Sequence, residues 1–326
     1  MKTLQSKSGK CYEYDPSIPP IEVDAYWSCF SGRCVSDTIQ KSVIIYITNT
    51  NVRVSEQFLA WLKNIPTSVF YNSNIIGLTD YIEETSTNGT IIRSYIILTT
   101  FCCVSLSGLI HGQTDCINGK TIEFALQMYE LYEKNRVGFA KTVARDILNG
   151  LDHLHSKGIS VGCIDPDYIL FTEDKRIAIN FMGAYHWYIV KQSMYRERNT
   201  RKYSYGTING NHVVMVAPEL LNGNVYHGDL NDGRIDLYSL GIMLFYILEG
   251  HLPDSFINLV ANQKMPLHEI KEKHFRRIIK KATEKEPSKR YQSAIEFINA
   301  IDKIDEDVVW YKKLYSIFGF FRKKEG

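Results

Sequence analysis

The apolar positions of this 326-residue chain change their spacing about a third of the way along. Before that point they come as dense β-branched and aromatic runs. Ser42–Thr48 (SVIIYIT) and Thr90–Phe101 (TIIRSYIILTTF), the latter preceded by the turn pair Asn88-Gly89, predict strands. Between them Ser55–Ile65 (SEQFLAWLKNI) opens on a serine cap and predicts a short helix. Farther on the spacing becomes three and four. Phe139, Val143, Ile147, Leu151 and Leu154 form one stripe of a helix that Gly158 can stop. Tyr168–Phe171 and Arg176–Phe181 predict a small hairpin around Glu173-Asp174. Asp236–Gly250 is apolar nearly all round, the mark of a helix enclosed by others. His274–Ile301 predicts two helices broken at Pro287. The plan is α+β, with a strand-rich lobe and a larger helical lobe joined near Phe101 to Ser107. We divide the chain into an N-terminal extension (1–20), the small lobe (21–104), the large lobe (105–304) and an aromatic, basic tail (305–326).

Composition narrows the picture. An apolar share of 44% is ample for a core, and a formal net charge of +2 gives no reason to expect a nucleic acid partner. The seven cysteines lack paired metal-type spacings, so reduced, mostly buried thiols of a cytoplasmic protein are expected. The polar opening MKTLQSKSGK does not read as a secretory signal. No run of roughly 18 apolar residues predicts a membrane span. Internal repeats and low-complexity tracts are absent.

Several signatures, in order and at family spacing, resemble the protein kinase fold over about Tyr12 to Ile301. Ser156–Phe171 (SKGISVGCIDPDYILF) aligns without gaps on the catalytic loop, H-R-D followed by L-K-P-x-N. Ile179–Gly183 (INFMG) stands where D-F-G is expected, and Ala217–Leu221 (APELL) matches A-P-E. Asp236–Asp254 (DLYSLGIMLFYILEGHLPD) resembles the central helix of the large lobe. Glu284–Ile301 resembles the closing helices of bacterial serine/threonine kinases. The Pro19-Pro20-Ile21 stretch is similar to the lead into their glycine-rich loop. The resemblance implies a bilobal fold, with a small β-rich N-lobe and a larger α-helical C-lobe.

The parts that carry phosphoryl transfer in that family are replaced. The glycine-rich positions fall on Glu22, Asp24 and Trp27. Side-chain-free backbone is what lets N–H groups approach phosphates. Two like charges about 5 Å apart repel by roughly 3 kcal/mol at an effective dielectric near 20, so Glu22 and Asp24 oppose a triphosphate. The strand lysine becomes Tyr46, uncharged at neutral pH, with Lys41 out of register. Its helix glutamate falls on Trp61, with Glu56 close by, and a Tyr46–Trp61 apolar pair is the expected filling. The catalytic aspartate becomes Cys163, the following lysine Asp165, and the metal-binding asparagine Tyr168. The aspartate of D-F-G becomes Asn180, a weak ligand for a hard dication.

Residues with structural jobs persist. The resemblance implies a Glu219–Arg290 ion pair, an Asp236 bonded to the catalytic-loop backbone, and a Phe181 in the core. We therefore expect a catalytically inactive kinase-like interaction or regulatory module that uses no cofactor. The alternative is a divergent kinase or other nucleotide-dependent transferase, using ATP and Mg²⁺, with the acid relocated to Asp165, Asp167 or Asp174. A Cys163 nucleophile served by His153 or His155 is a further option, although His155 also suits a helix C-terminus. The expected partner is a protein, either an active kinase or its substrate. Lys191, Arg196, Arg198, Arg201 and Lys202, among the hydroxyls of Ser193, Thr200, Tyr203 and Ser204, form a solvated loop, an acidic-partner surface or a phosphorylation target. The tail is too short to span a bilayer and suits peripheral membrane contact or packing on the large lobe.

Overall fold

A computed structural model describes residues 1–20, 22–23, 27–36, 41–48, 64–89, 91–99, 103–116, 119–181, 215–221, 232–253 and 265–304. Of Ile92, Thr99, Leu220 and Leu221, and of Glu22, Val23, Trp27 and Lys41, it describes the backbone alone.

The first lobe is one antiparallel sheet. Its strands are β1 (Lys2–Gln5), β2 (Cys11–Tyr14), β3 (Glu22–Val23), β4 (Trp27–Cys34), β5 (Lys41–Thr48), β7 (Leu78–Thr85) and β8 (Ile91–Thr99), after the two-residue β6 (Ile75–Ile76). The order is β1-β2-β4-β5-β8-β7, with β3 also on β4. Strand period two divides β5 between two cores. Val43, Ile45 and Ile47 join Tyr95 and Ile97 on the outer face, with Leu4, Tyr12 and Tyr14 from the first hairpin. Tyr46 points the other way, with Cys29, Ile96 and Leu98, into the apolar cluster that also holds the interior of the helical lobe. A slip of one residue would exchange the two sets, so the register Cys29↔Tyr46↔Ile96 is what places Tyr46 between the lobes.

Residues 1–20, read from the sequence as an extension, supply two strands of this sheet. β1 is also tied across to the far edge. Lys2 Nζ donates to Tyr95 Oη (2.7 Å) and to Glu84 Oε2 (2.9 Å), while Ser8 and Tyr12 donate to Asp80. Alternation in four-residue strands is too short to be noticed until they pair.

The connection enters the second lobe through β9 (Cys103–Ser105) and α1 (Leu106–Ile110), which Ser105 caps. Helices α2 (Glu123–Lys134) and α3 (Arg136–Ser156) follow. Phe139, Val143, Ile147, Leu151 and Leu154 of α3 are all buried, and Gly158 leaves the helix at φ +70°. The expected hairpin is β10 (Ile169–Thr172) with β11 (Ile177–Asn180), in a small sheet ordered β6-β11-β10-β9. After α4 (Pro218–Leu221), helix α5 (Arg234–Glu249) is buried from Ile235 to Leu248. Helices α6 (Lys273–Ala282) and α7 (Ala294–Asp302) are separated by a 3₁₀ turn that begins at Pro287.

One expectation fails. Cys11, Cys29, Cys34, Cys103 and Cys163 are free thiols, but Cys116 is disulfide-bonded. Bridging depends on which sulfurs the fold brings together, which spacing along the chain does not encode. Among the described residues no helix is long and apolar enough to cross a membrane. The helix expected at Ser55–Ile65 with Glu56 and Trp61, the basic loop from Tyr185, and the tail from Asp305 lie outside the described residues, apart from Asn64, Ile65, Met215 and Val216.

Candidate functional site

The site begins at the buried N-terminal turn of α5. Asp236 sits there fully buried and accepts four hydrogen bonds. The donors are the backbone N–H of Val161 (2.9 Å) and Gly162 (2.6 Å), Ser160 Oγ (3.1 Å) and His155 Nε2 (2.8 Å). A buried carboxylate is tolerable only with such partners. The turn needs them as well, since Gly162 stands at φ +88°, a region that side chains disfavour. His155, expected to serve its own helix end, is thus a ligand of Asp236. Gly233 makes room for its ring, because a Cβ there would lie 2.5 Å from His155 Nδ1. Nothing in the sequence pairs His155 with a residue 81 positions away.

The loop that Asp236 holds carries Cys163, buried between the lobes. Burial, then the nearby charges of Asp165 and Asp236, push its thiol pKa well above the ordinary value. A protonated, enclosed thiol is neither a base nor a nucleophile at neutral pH. The two histidines considered as its partners are turned elsewhere, His155 Nε2 to Asp236 and His153 Nε2 to the Val69 carbonyl at 2.9 Å. Asp165 caps the turn Pro166–Tyr168, its Oδ1 accepting from Asp167 N–H at 2.9 Å. Tyr168 is half-buried with its ring against the core. Asp174 belongs to the β10–β11 turn, bonded to the Thr172 hydroxyl and to Arg176.

Across the cleft, Asn180 Nδ2 donates to Tyr46 Oη at 2.9 Å, and both side chains are buried. The two positions that resemble the kinase strand lysine and metal-binding aspartate therefore bond to each other, as neutral groups. Sequence reasoning paired Tyr46 with Trp61 instead, and Trp61 lies outside the described residues. The Tyr46–Asn180 pair could have been anticipated from the resemblance, because a tyrosine and an asparagine replace two partners that face one ligand. Phe181 follows Asn180 into the core, 4.8 Å from the Phe70 ring. β3 and β4 flank the turn assigned to the glycine-rich loop, pairing Glu22 with Cys29. The side chains of Glu22 and Trp27, and all of Asp24, lie outside the described residues.

Away from the cleft, Arg290 grips Glu219 with both Nη atoms at 2.7 Å. Its remaining donors reach the carbonyls of Glu284, Lys285 and Arg234. The guanidinium lies 4.9 Å from the Tyr238 ring, and burial pushes that phenol up to about 12. All five guanidinium protons have acceptors available, which is what makes a buried ion pair tolerable.

The comparisons with known proteins agree with this plan. The protein kinase domain model matches residues 70–307. A probable serine/threonine-protein kinase of Clostridium perfringens is 23% identical over 85% of this chain and 36% of its own length. A calcium/calmodulin-dependent protein kinase kinase of Emericella nidulans is 26% identical over 45% of this chain and 27% of its own length. The chain thus spans only about a third of these relatives. The kinase domain of Mycobacterium tuberculosis PknI superposes with a TM-score of 0.58 at 15% identity, covering 90% of this chain and 95% of that one. The order of strands and helices, the Asp236-bound loop and the Glu219–Arg290 pair are those of the family whose model matches: the chain belongs to the protein kinase domain family.

Proposed function

We propose that this chain is a kinase-fold module that does not transfer phosphoryl groups and acts as a regulatory or interaction partner of another protein. The observation that carries the reading is the buried Tyr46–Asn180 hydrogen bond. Mg²⁺ is held by hard oxygen ligands, carboxylates above all. Asn180 offers a neutral amide whose nitrogen is already committed to Tyr46, and Tyr168 has no acyl oxygen. A triphosphate also needs a fixed cation, and Tyr46 carries none. The residues present do not fit Mg²⁺·ATP, so no reaction step is derived through it. Five free thiols among the described residues support a cytoplasmic setting, and the Cys116 disulfide is the observation against it.

Incubation of the full chain with radiolabelled ATP and Mg²⁺, alone and with a mixed protein substrate, tests the proposal. No label above a heat-treated control is expected. Label that vanishes in Asp165→Asn would favour the second reading, transfer through a relocated acid. The relatives' kinase names motivate that reading. Against it, Asp165 already caps a turn.

A further inference from the structure

Helix α6 buries Phe275, Ile278, Ile279 and Ala282. Its outward side, with the residue two places before it, is cationic: Lys271, Lys273, Arg277 and Lys280 are exposed. Most of the other charged groups nearby are occupied, and the half-buried Glu284, four positions beyond Lys280, makes no ion pair with it. Glu272 caps the helix by accepting from Phe275 N–H, and Arg276 donates to the Ile270 carbonyl. Lys281 pairs with Glu296 and Lys289 with Glu286. Among the described residues no carboxylate pairs with the four exposed cations. Lys273, Arg277 and Lys280 follow one another at four and three positions, so they line one side of the helix over about 10 Å. Like charges at that spacing repel, and the chain as a whole is only +2. The excess is therefore local to this face.

We propose that this stripe is a docking surface for an acidic helix of a protein partner, whose carboxylates recur at the same spacing of three and four. The charge pattern is one half of the complementary ladder that fixes register between paired helices. A bilayer is the poorer fit, because interfacial helices insert apolar side chains and every apolar residue of α6 faces inward: Phe275, Ile278, Ile279 and Ala282 are all in the core. Nucleic acid is also the poorer fit, because the helix exposes one imidazole, His274, and no row of aromatic rings on which successive bases could stack. The inference does not depend on whether the cleft takes a nucleotide.

Fluorescence anisotropy of the full chain against a labelled synthetic helix, with glutamates at alternating three- and four-residue spacing, tests it. Saturable binding is expected at about 50 mM salt, weakened about tenfold or more at about 300 mM by screening. The variant K273Q/R277Q/K280Q should lose about tenfold or more in affinity with its thermal unfolding midpoint unchanged or raised, since like-charge repulsion is relieved. K7Q/K157Q/K303Q should bind as the parent does. The proposal is overturned by no binding, by equal binding to the stripe variant, by equal loss in the control variant, or by tighter binding to phosphatidylserine vesicles or duplex DNA than to the peptide.

Discussion

Three side chains carry most of the physical content of the account. Asp236 is the first. Replacing it with alanine strands the Val161 and Gly162 N–H groups and the His155 ring, and a loss of about 3–5 kcal/mol is expected by denaturant titration. Tyr46 is the second. Tyr46→Phe keeps the ring and removes the hydroxyl that accepts from Asn180 Nδ2, so about 1–3 kcal/mol should be lost. Tyr46→Lys should cost more, because it buries an ammonium, and adding Asn180→Asp should recover part of that loss. The double-mutant cycle measures the coupling. Cys163 is the third. Its folded pKa lies above the unfolded value of about 8.5. Below that value both states hold the proton and the thiol adds no pH dependence. Above it the unfolded chain releases the proton first, so stability falls as pH rises, by up to about 1.4 kcal/mol per unit. Cys163→Ala should flatten that fall between about pH 8.5 and 10, and an unchanged slope would contradict the assignment.

The elements differ in how far the sequence revealed them. Helices α3 and α5 were legible because each imposes a pattern over many turns, a stripe in one and near-uniform apolarity in the other. β5 and β8 were legible as β-branched runs, but which face of β5 meets the cleft came only from its register against β4 and β8. β1 and β2 were not legible at all. Their apolar residues, Leu4, Tyr12 and Tyr14, are too few to make a period. They acquire meaning only when the sheet curls and Lys2 meets Glu84 and Tyr95. This hairpin is structural, so Leu4→Ala should cost about 2–5 kcal/mol. A change below about 0.5 kcal/mol would mean that the hairpin is dispensable. The His155–Asp236 contact and the Tyr46–Asn180 bond are the other parts that spacing did not disclose. Both join distant segments, and only the family resemblance brought Asp236, Tyr46 and Asn180 into one argument.

At the scale of the whole molecule, one apolar cluster runs from Tyr46, Ile96 and Leu98 of the first lobe through Phe181 and Leu170 to the interior of the second. Lobes that share a core in this way should unfold together, in one calorimetric transition. The groups that in the family receive a ligand from both sides are here joined directly. Losses fall on ligand chemistry, while Asp236, Phe181, Glu219 and Arg290 keep their structural bonds and packing. That separation is the reason for reading the fold as reused for binding a protein.

The most direct test is thermal unfolding of the full chain with increasing Mg²⁺·ATP. A ligand with a Kd of about 10 μM would add about 2.7 kcal/mol at about 1 mM, which is about 4 °C for a chain of this size. The account predicts a midpoint unchanged within about 1 °C at that concentration. A saturable, Mg²⁺-dependent rise of about 4 °C or more, abolished in Asn180→Ala, would contradict it.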